Sequence, residues 1–136
     1  MADISQTAAN VRPYEGATIR LVTAATTVAA GNLVYQDTTD DNKFRPADAS
    51  AAASAILYGI ALTNSSDGLG LVVQTGGDVD PGGTVAAGTI YTASTAAGGI
   101  QPSVDNSSES YYSTFGRGIT STKLHIGISN TSTAHA

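Results

Sequence analysis

The sequence of 136 residues predicts an all-β fold, a small sandwich or barrel of about eight to ten short strands with an internal duplication and an extended N-terminal arm. The first observation is a series of short runs rich in Val, Ile, Tyr and Thr, which alternate with clusters of Gly, Pro, Asn, Asp and Ser. Such strands between turn residues are typical of sandwiches and barrels. The second is the pentapeptide TVAAG, which occurs at residues 27–31 and again at 84–88. This recurrence indicates one structural unit used twice.

The segments after the two copies support the duplication. A tyrosine and a proline follow each copy, and Tyr35 to Pro46 and Tyr91 to Pro102 are both spacings of eleven, with one residue of slippage between the copies. A glycine ends each copy, and glycine adopts positive φ or allows a close backbone approach without steric cost. We interpret each copy as a corner of strand, tight turn and strand. The alternative is that both glycines are merely small residues in a chain rich in them.

In the first half, the side-chain pattern defines each element in turn. Residues 1–14 are mostly small and polar without periodicity, which predicts an arm that extends to a neighbour. Residues 16–22 alternate, with Ala17, Ile19 and Leu21 on one face, as in a half-buried strand. The other expected elements are strands at 32–36 and 43–46 joined by a polar loop, a helical turn or coil at 47–55, and a hairpin of 56–63 with 69–75.

The second half repeats this plan after a glycine-rich segment, 76–83, where the chain is expected to reverse or bulge. The strands TIYTA and IQP correspond to the first hairpin, and GRGIT and KLHIGIS follow a polar insert at residues 103–115. We therefore expect an arm at 1–14, a single β domain at 15–130 with repeat-like halves at 15–75 and 76–130, and a flexible tail at 131–136.

Composition limits the class of protein. Ala, Ser, Thr and Gly form about half of the chain, 12% of residues are charged, and the formal net charge is −5. So few charges do not keep a chain unfolded, but small side chains make a thin core. We therefore expect a protein whose stability depends on contacts with other chains. The N-terminus lacks a signal-peptide pattern and the longest weakly apolar stretch, 51–62, is too short to cross a bilayer, so we expect a soluble protein without membrane contact.

The residue types that perform catalysis are scarce. The chain has no cysteine and two histidines, and His125 alternates with the apolar Leu124 and Ile126 in a strand, which predicts a solvent or interface position. Aspartates occur in two sets, one at residues 37–41 and one at residues 78 and 80, among turn residues and without the spacing of a calcium loop. We expect no catalytic residue, no metal site and no cofactor, and hence not an enzyme.

Binding to nucleic acid or to sugars has little support from the remaining side chains. Six basic residues are dispersed in an acidic chain, so we expect no direct contact with nucleic acid. Tyr35, Tyr58 and Tyr91 have apolar neighbours and are expected at the edges of the core. Tyr111 and Tyr112 differ, because they lie in the polar insert.

The order of three segments along the chain resembles that of a known protein family. The runs EGATIRLVTAATTVAAGNLVY, ILYGIALTNSSDGLGLVVQTGG and TVAAGTIY, with a closing Gly-Ile strand, resemble the small head decoration, or capsid cement, proteins of tailed bacteriophages. The resemblance covers residues 15 to 128, and the insert at 103–115 departs from it. It implies a non-enzymatic protein, made in the host cytoplasm, that binds the assembled major capsid protein on the outer surface of the virion, commonly as a trimer.

Two groups of residues are expected to contact the capsid or another subunit. Arginine and tyrosine are enriched at binding hot spots, and proline lowers the entropy lost when an arm docks. These residues are Val11, Arg12, Pro13 and Tyr14 of the arm, and Tyr111 and Tyr112 of the insert. A surface or fibre module that binds host glycans is an alternative, because it would have the same composition; a hydrolase is a third class, which the lack of a well-placed base disfavours.

Overall fold

The computed structural model describes residues 3–105 and 111–134, and within these ranges the chain forms ten strands, which confirms the all-β prediction. Three short 3-10 turns, at Ala8–Asn10, Ala53–Ala55 and Ser103–Asp105, are the only helical segments there. The strands are β1 (Arg12–Pro13), β2 (Thr18–Thr23), β3 (Leu33–Asp37), β4 (Lys43–Pro46), β5 (Gly59–Ala61), β6 (Gly70–Asp80), β7 (Ile90–Ala93), β8 (Ile100–Pro102), β9 (Tyr111–Gly118) and β10 (Leu124–Ala134).

The strands form one curled antiparallel sheet in the order β4-β3-β5-β6-β10-β9-β7-β8, and β1 and β2 also pair with β6. This order contains one four-strand arrangement twice. In each, a hairpin, β3 with β4 or β7 with β8, is followed by a strand that pairs with the first strand of the hairpin, and then by a longer strand. The two arrangements, which we call the first half and the second half, begin at the two TVAAG segments.

The turn that ends each TVAAG segment is the same in both halves. Gly31 and Gly88 have positive φ values of 97° and 83°, which explains why glycine stands there. Their N–H groups donate to Ala61 and Gly118, respectively, at 2.8 Å in both cases. The residue after each glycine donates its N–H to the carbonyl three residues earlier.

The hairpin register shows which residues correspond. It is defined by the pairs Val34↔Pro46 and Val34↔Gly59 in the first half and by Tyr91↔Pro102 and Tyr91↔Gly116 in the second. Tyr91 therefore corresponds to Val34, and its alignment with Tyr35 from the sequence is wrong by one residue.

Strand β6 is longer than the sequence predicted, because it continues through the glycine-rich segment. Thr75 bulges out of the ladder where Thr18 pairs with Gly76 and Ile19 with Gln74. Gly77 has a φ of 85°, and a Cβ there would lie 3.0 Å from the Cα of Ala17. The expected bulge thus lies inside the strand, and it moves β6 from pairing with β2 and β5 to pairing with β1 and β10.

Two apolar clusters stabilise the domain. The larger lies between the two halves and contains Leu33, Leu57, Ile60, Val79, Val85, Tyr91, Ile100, Phe115, Leu124 and Ile126 with small alanines. The smaller lies within the curl of the first half and contains Ala24, Val28, Val34, Phe44, Ala61, Leu71 and Val73. A parallel bridge from Ala24 to Phe44 closes this curl. Tyr35 and Tyr58 pack at the edges of these clusters, as the sequence predicted, whereas Tyr91, also expected at an edge, is buried in the larger cluster.

The arm does not extend away from the domain over its described part. Ile4 donates its N–H to Ile100 at 2.8 Å and packs against the larger cluster. The side-chain amide of Gln6 donates to the carbonyls of Gly31 and Pro81, and β1 pairs with the end of β6. In this structure residues 3–14 therefore bind their own domain, and their expected contact with a neighbour stays a prediction.

The end of the chain also differs from expectation. The insert becomes regular at Tyr111, where β9 begins, and Phe115 is fully buried. Strand β10 continues to Ala134, so most of the predicted tail belongs to a strand. Residues 1–2, 106–110 and 135–136 lie outside the described part.

Candidate interaction surface

The outer face of β2 is the largest departure from the predicted burial. Ile19 and Leu21, expected on a half-buried face, are 44% and 77% exposed. Val22, on the opposite face, packs against the smaller cluster instead. The reason is the position of β2 at the margin of the sheet, where the second half does not cover its outer face.

These side chains continue onto β6. Leu21 pairs with Val72, which is half-buried, and a Cβ at Gly70 would lie 3.5 Å from a methyl group of Leu21. We call Ile19, Leu21 and Val72 the β2 patch. Arg20, between the two apolar residues, is exposed and points to the other face. Leu69, which is 58% exposed, immediately precedes β6 and adds apolar surface next to this region.

A groove of about 460 Å³ lies beside the first hairpin, and Tyr35, Asp37, Ile56 and Tyr58 are among its lining residues. Ile56 is 46% exposed at this groove. The pKa of Tyr35 is raised, first by burial and then by the negative charge of Asp37. The groove combines aromatic rings with polar groups, as small-ligand sites do.

The polar loop that the sequence predicted between β3 and β4 forms a turn closed by its own side chains. Asp37 accepts from the N–H and the hydroxyl of Thr39 at 3.0 and 2.6 Å. Arg45 binds Asp37 at 2.9 Å and Asp40 at 2.7 Å. The hydrogen bonds from Thr39, followed by those from Arg45, lower the pKa of Asp37, and Asp37 raises the pKa of Arg45. These carboxylates thus support the hairpin.

The second set of aspartates, which the sequence placed among turn residues, lies in a strand instead, so that expectation is wrong. Asp78 and Asp80 lie in β6, and Asp80 is buried, with its carboxylate accepting from the N–H of Gly82. Asp78 lies opposite His125 of β10, and the two side chains are 2.8 Å apart. No local pattern in the sequence could show this pair, because the pairing of β6 with β10 creates it. In the described ranges, no group of three or more His, Cys, Asp or Glu side chains is placed to hold a metal ion.

The arm residues expected to contact a partner lie on β1 and next to it. Arg12 and Pro13 are exposed and pair with Asp80 and Val79. Tyr14 donates its hydroxyl to Thr122, and the ammonium of Lys123 lies 4.8 Å from the centre of the tyrosine ring. Val11 is half-buried near the turn glycines Gly31 and Gly82.

The expected contact residues of the insert lie at the start of β9. Tyr111 is half-buried, and its N–H donates to Ala49 at 2.7 Å. The side chain of Tyr112 lies outside the described residues. The arm and insert groups are therefore on separate strands, and neither belongs to the β2 patch.

Within residues 3–105 and 111–134, no helix is long and apolar enough to span a membrane. Neither a protein-family model nor a curated protein sequence matches the chain.

Proposed function

We propose that the chain is a capsid decoration protein, which binds the assembled major capsid protein as a homotrimer on the outer surface of a phage head and stabilises that head. The observation that carries this proposal is the β2 patch, with Leu21 77% exposed on a chain of which 12% of the residues are charged. Exposed apolar side chains grouped on one strand mark a surface for another macromolecule. The resemblance of residues 15 to 128 to capsid cement proteins supports the major capsid protein as that partner.

The test is binding to assembled shells of a tailed-phage major capsid protein expressed from the same genome as this chain, measured by co-sedimentation. Burying a leucine contributes about 1.5–3 kcal/mol, and each 1.4 kcal/mol changes affinity about tenfold. Leu21→Ser should therefore weaken binding about 10- to 100-fold. Val104, which is 89% exposed in a 3-10 turn, provides the matched control, and Val104→Ser should bind like the parent chain.

Equal affinities for the parent chain and Leu21→Ser would exclude the β2 patch as the capsid contact. The absence of any shell binding by the parent chain would contradict the proposed function itself. Light scattering tests the trimer separately, because a monomeric mass at tens of micromolar would contradict self-association in solution.

A glycan-binding module remains a second candidate, and the groove beside the first hairpin is the observation that favours it. Its tyrosines offer apolar faces and its carboxylate and hydroxyl groups offer hydrogen bonds, a combination suited to sugars. Binding to a glycan array that is lost in Ile56→Glu and retained in Val104→Glu, with no affinity for shells, would favour this function over capsid decoration.

A further inference from the structure

From the backbone of β2, we infer that its free edge accepts an extended segment of the capsid partner as an added β-strand. This inference rests on the proposed function and specifies its mode of contact. In such a contact, main-chain hydrogen bonds give affinity, and alternate side chains give specificity.

The direction of the backbone groups on β2 follows from its neighbour. Val72 donates its N–H to the hydroxyl of Thr63 and accepts from the N–H of Leu62, so both of its main-chain groups point away from β2. Leu21 pairs with Val72 and therefore directs its own N–H and C=O away from β6. Ile19, two residues earlier, has the same direction, and its carbonyl accepts the guanidinium of Arg20 at 3.3 Å.

This edge is open over the first residues of β2. Within the described ranges β2 pairs with β6 alone, and residues 18–21 are all exposed. The strand β4 reaches this edge only at Ala24, one residue beyond β2, where Ala24 forms a bridge with Phe44. Ile19 and Leu21 thus direct two N–H and two C=O groups to this edge, and the carbonyl of Ile19 also accepts from the guanidinium of Arg20.

The side chains define the chemistry of the incoming segment. Ile19 and Leu21 share one face, so the segment needs apolar residues there. Arg20 is on the other face and has no carboxylate partner in the described part of the chain, so an acidic residue complements it. The expected occupant is therefore an extended capsid segment in which apolar and acidic residues alternate.

A second copy of the same edge is a poorer occupant. In an antiparallel pair of two β2 strands, the register that uses both free residues places Ile19 opposite Leu21 of the other copy. The two Arg20 side chains then lie directly opposite each other, and like charges in that position destabilise a sheet.

Amide hydrogen exchange tests the geometry directly. In the free chain, the amides of Ile19 and Leu21 should exchange rapidly, whereas those of Arg20 and Val22, which face β6, should exchange slowly. On the shells described above, Ile19 and Leu21 should become at least about tenfold more protected, because their N–H groups are then bonded. Unchanged exchange in the shell complex would overturn strand addition.

A pair of variants separates the backbone from the side chain. Leu21→Ala and Leu21→Pro both remove the isobutyl group, but only proline also removes the N–H on the free edge. An edge strand tolerates proline at such a position. Leu21→Pro should bind shells at least about tenfold more weakly than Leu21→Ala, with thermal unfolding confirming that both are folded.

Each other outcome identifies what failed. Equal binding by Leu21→Ala and Leu21→Pro, both weaker than the parent chain, would leave the proposed function and reject strand addition. Failure of the parent chain to bind shells would reject both. Protection of Ile19 and Leu21 that grows with protein concentration in the absence of shells would assign the edge to a second copy and reject the capsid segment.

Discussion

The two halves of the repeat have the same strand order and register, but their corresponding faces meet different surroundings. In the first half, Leu33 and Ile60 point into the cluster between the halves. Their counterparts in the second half, by the pairs Leu33↔Ile60 and Ile90↔Arg117, are Ile90 and Arg117, which are exposed. The halves therefore stack with the same face directed the same way.

The opposite face shows the same relation. Val34 of the first half lies in the smaller cluster inside the curl, whereas its counterpart Tyr91 packs in the cluster between the halves. Val28 and Val85, the valines of the two TVAAG segments, are related in the same way. The first half is thus buried on both faces, while the second half leaves Ile90 and Arg117 exposed on one face, although Thr92 on that face is buried. One backbone unit can therefore serve as a middle layer or as an outer layer, depending on its side chains.

The largest difference in stability is expected between substitutions at Leu33 and Ile90. Leu33→Ala should lower the free energy of unfolding by about 3–5 kcal/mol, because it leaves a cavity in the cluster between the halves. Ile90→Ala, at the corresponding position with 37% exposure, should cost about 1 kcal/mol. Urea unfolding measures both, and similar losses would contradict the assignment of inner and outer layers.

A second test asks whether the shared backbone is equally constrained. A Cβ at Gly59 would collide with the carbonyl of Gln74, and a Cβ at Gly116 would collide with that of His125. Gly59→Ala and Gly116→Ala should each cost about 2–3 kcal/mol, since the strands must separate. Gly127, in β10, has open space around it, and Gly127→Ala should change stability by less than about 0.5 kcal/mol. Tolerance at one of the two paired glycines alone would break the correspondence.

The arm provides a third test, because Gln6 binds the turn of the first half and the connection to the second. Gln6→Ala should lower the free energy of unfolding by about 1–3 kcal/mol, because it leaves the buried carbonyls of Gly31 and Pro81 without this donor. Gln36→Ala, which removes one exposed hydrogen bond, is the control and should be near neutral. An unchanged free energy of unfolding in Gln6→Ala would show that these contacts do not hold the arm on the domain.

The smallest expected effect concerns the first residue of each hairpin loop. The side chains of Asp37 and Ser94 each accept a hydrogen bond from the N–H of the residue two positions later. The two loops therefore contain the same turn, closed by a charged side chain in one and by a neutral one in the other. The lowered pKa of Asp37 means that its stabilising contribution is fully present above the ordinary pKa of 3.8 and is lost as pH falls through the lower folded value. The stability difference between the parent chain and Asp37→Asn should therefore be constant from pH 7 to about 4 and shrink below that.

Ser94→Ala provides the uncharged comparison for that pH series. Its stability difference from the parent chain should not vary over the same range, because a hydroxyl does not titrate. A difference for Asp37→Asn that grew towards low pH would contradict the direction of its pKa shift.

Local chemistry in the sequence predicted the hairpins and the repeated turn. Residues 43–46 form the expected strand, and both TVAAG glycines have positive φ. Local chemistry could not predict that β6 continues through Gly76 and Gly77. Two adjacent glycines are typical of a turn, and only pairing with neighbouring strands shows that they form a bulge within β6 instead. The candidate site was not predicted either, since the alternation of residues 16–22 shows two faces without showing which one is covered.

Local patterns in the sequence are sufficient for the elements whose stability is local: short strands, a polar loop after β3, and a unit that recurs. The tertiary contacts show how the two units stack, that Asp78 meets His125, and that Ile19 and Leu21 remain uncovered. Alternation defines the two faces of a strand, but burial depends on contacts between residues far apart in the chain. Those contacts leave the edge of β2 exposed, and this is where we propose that a partner binds.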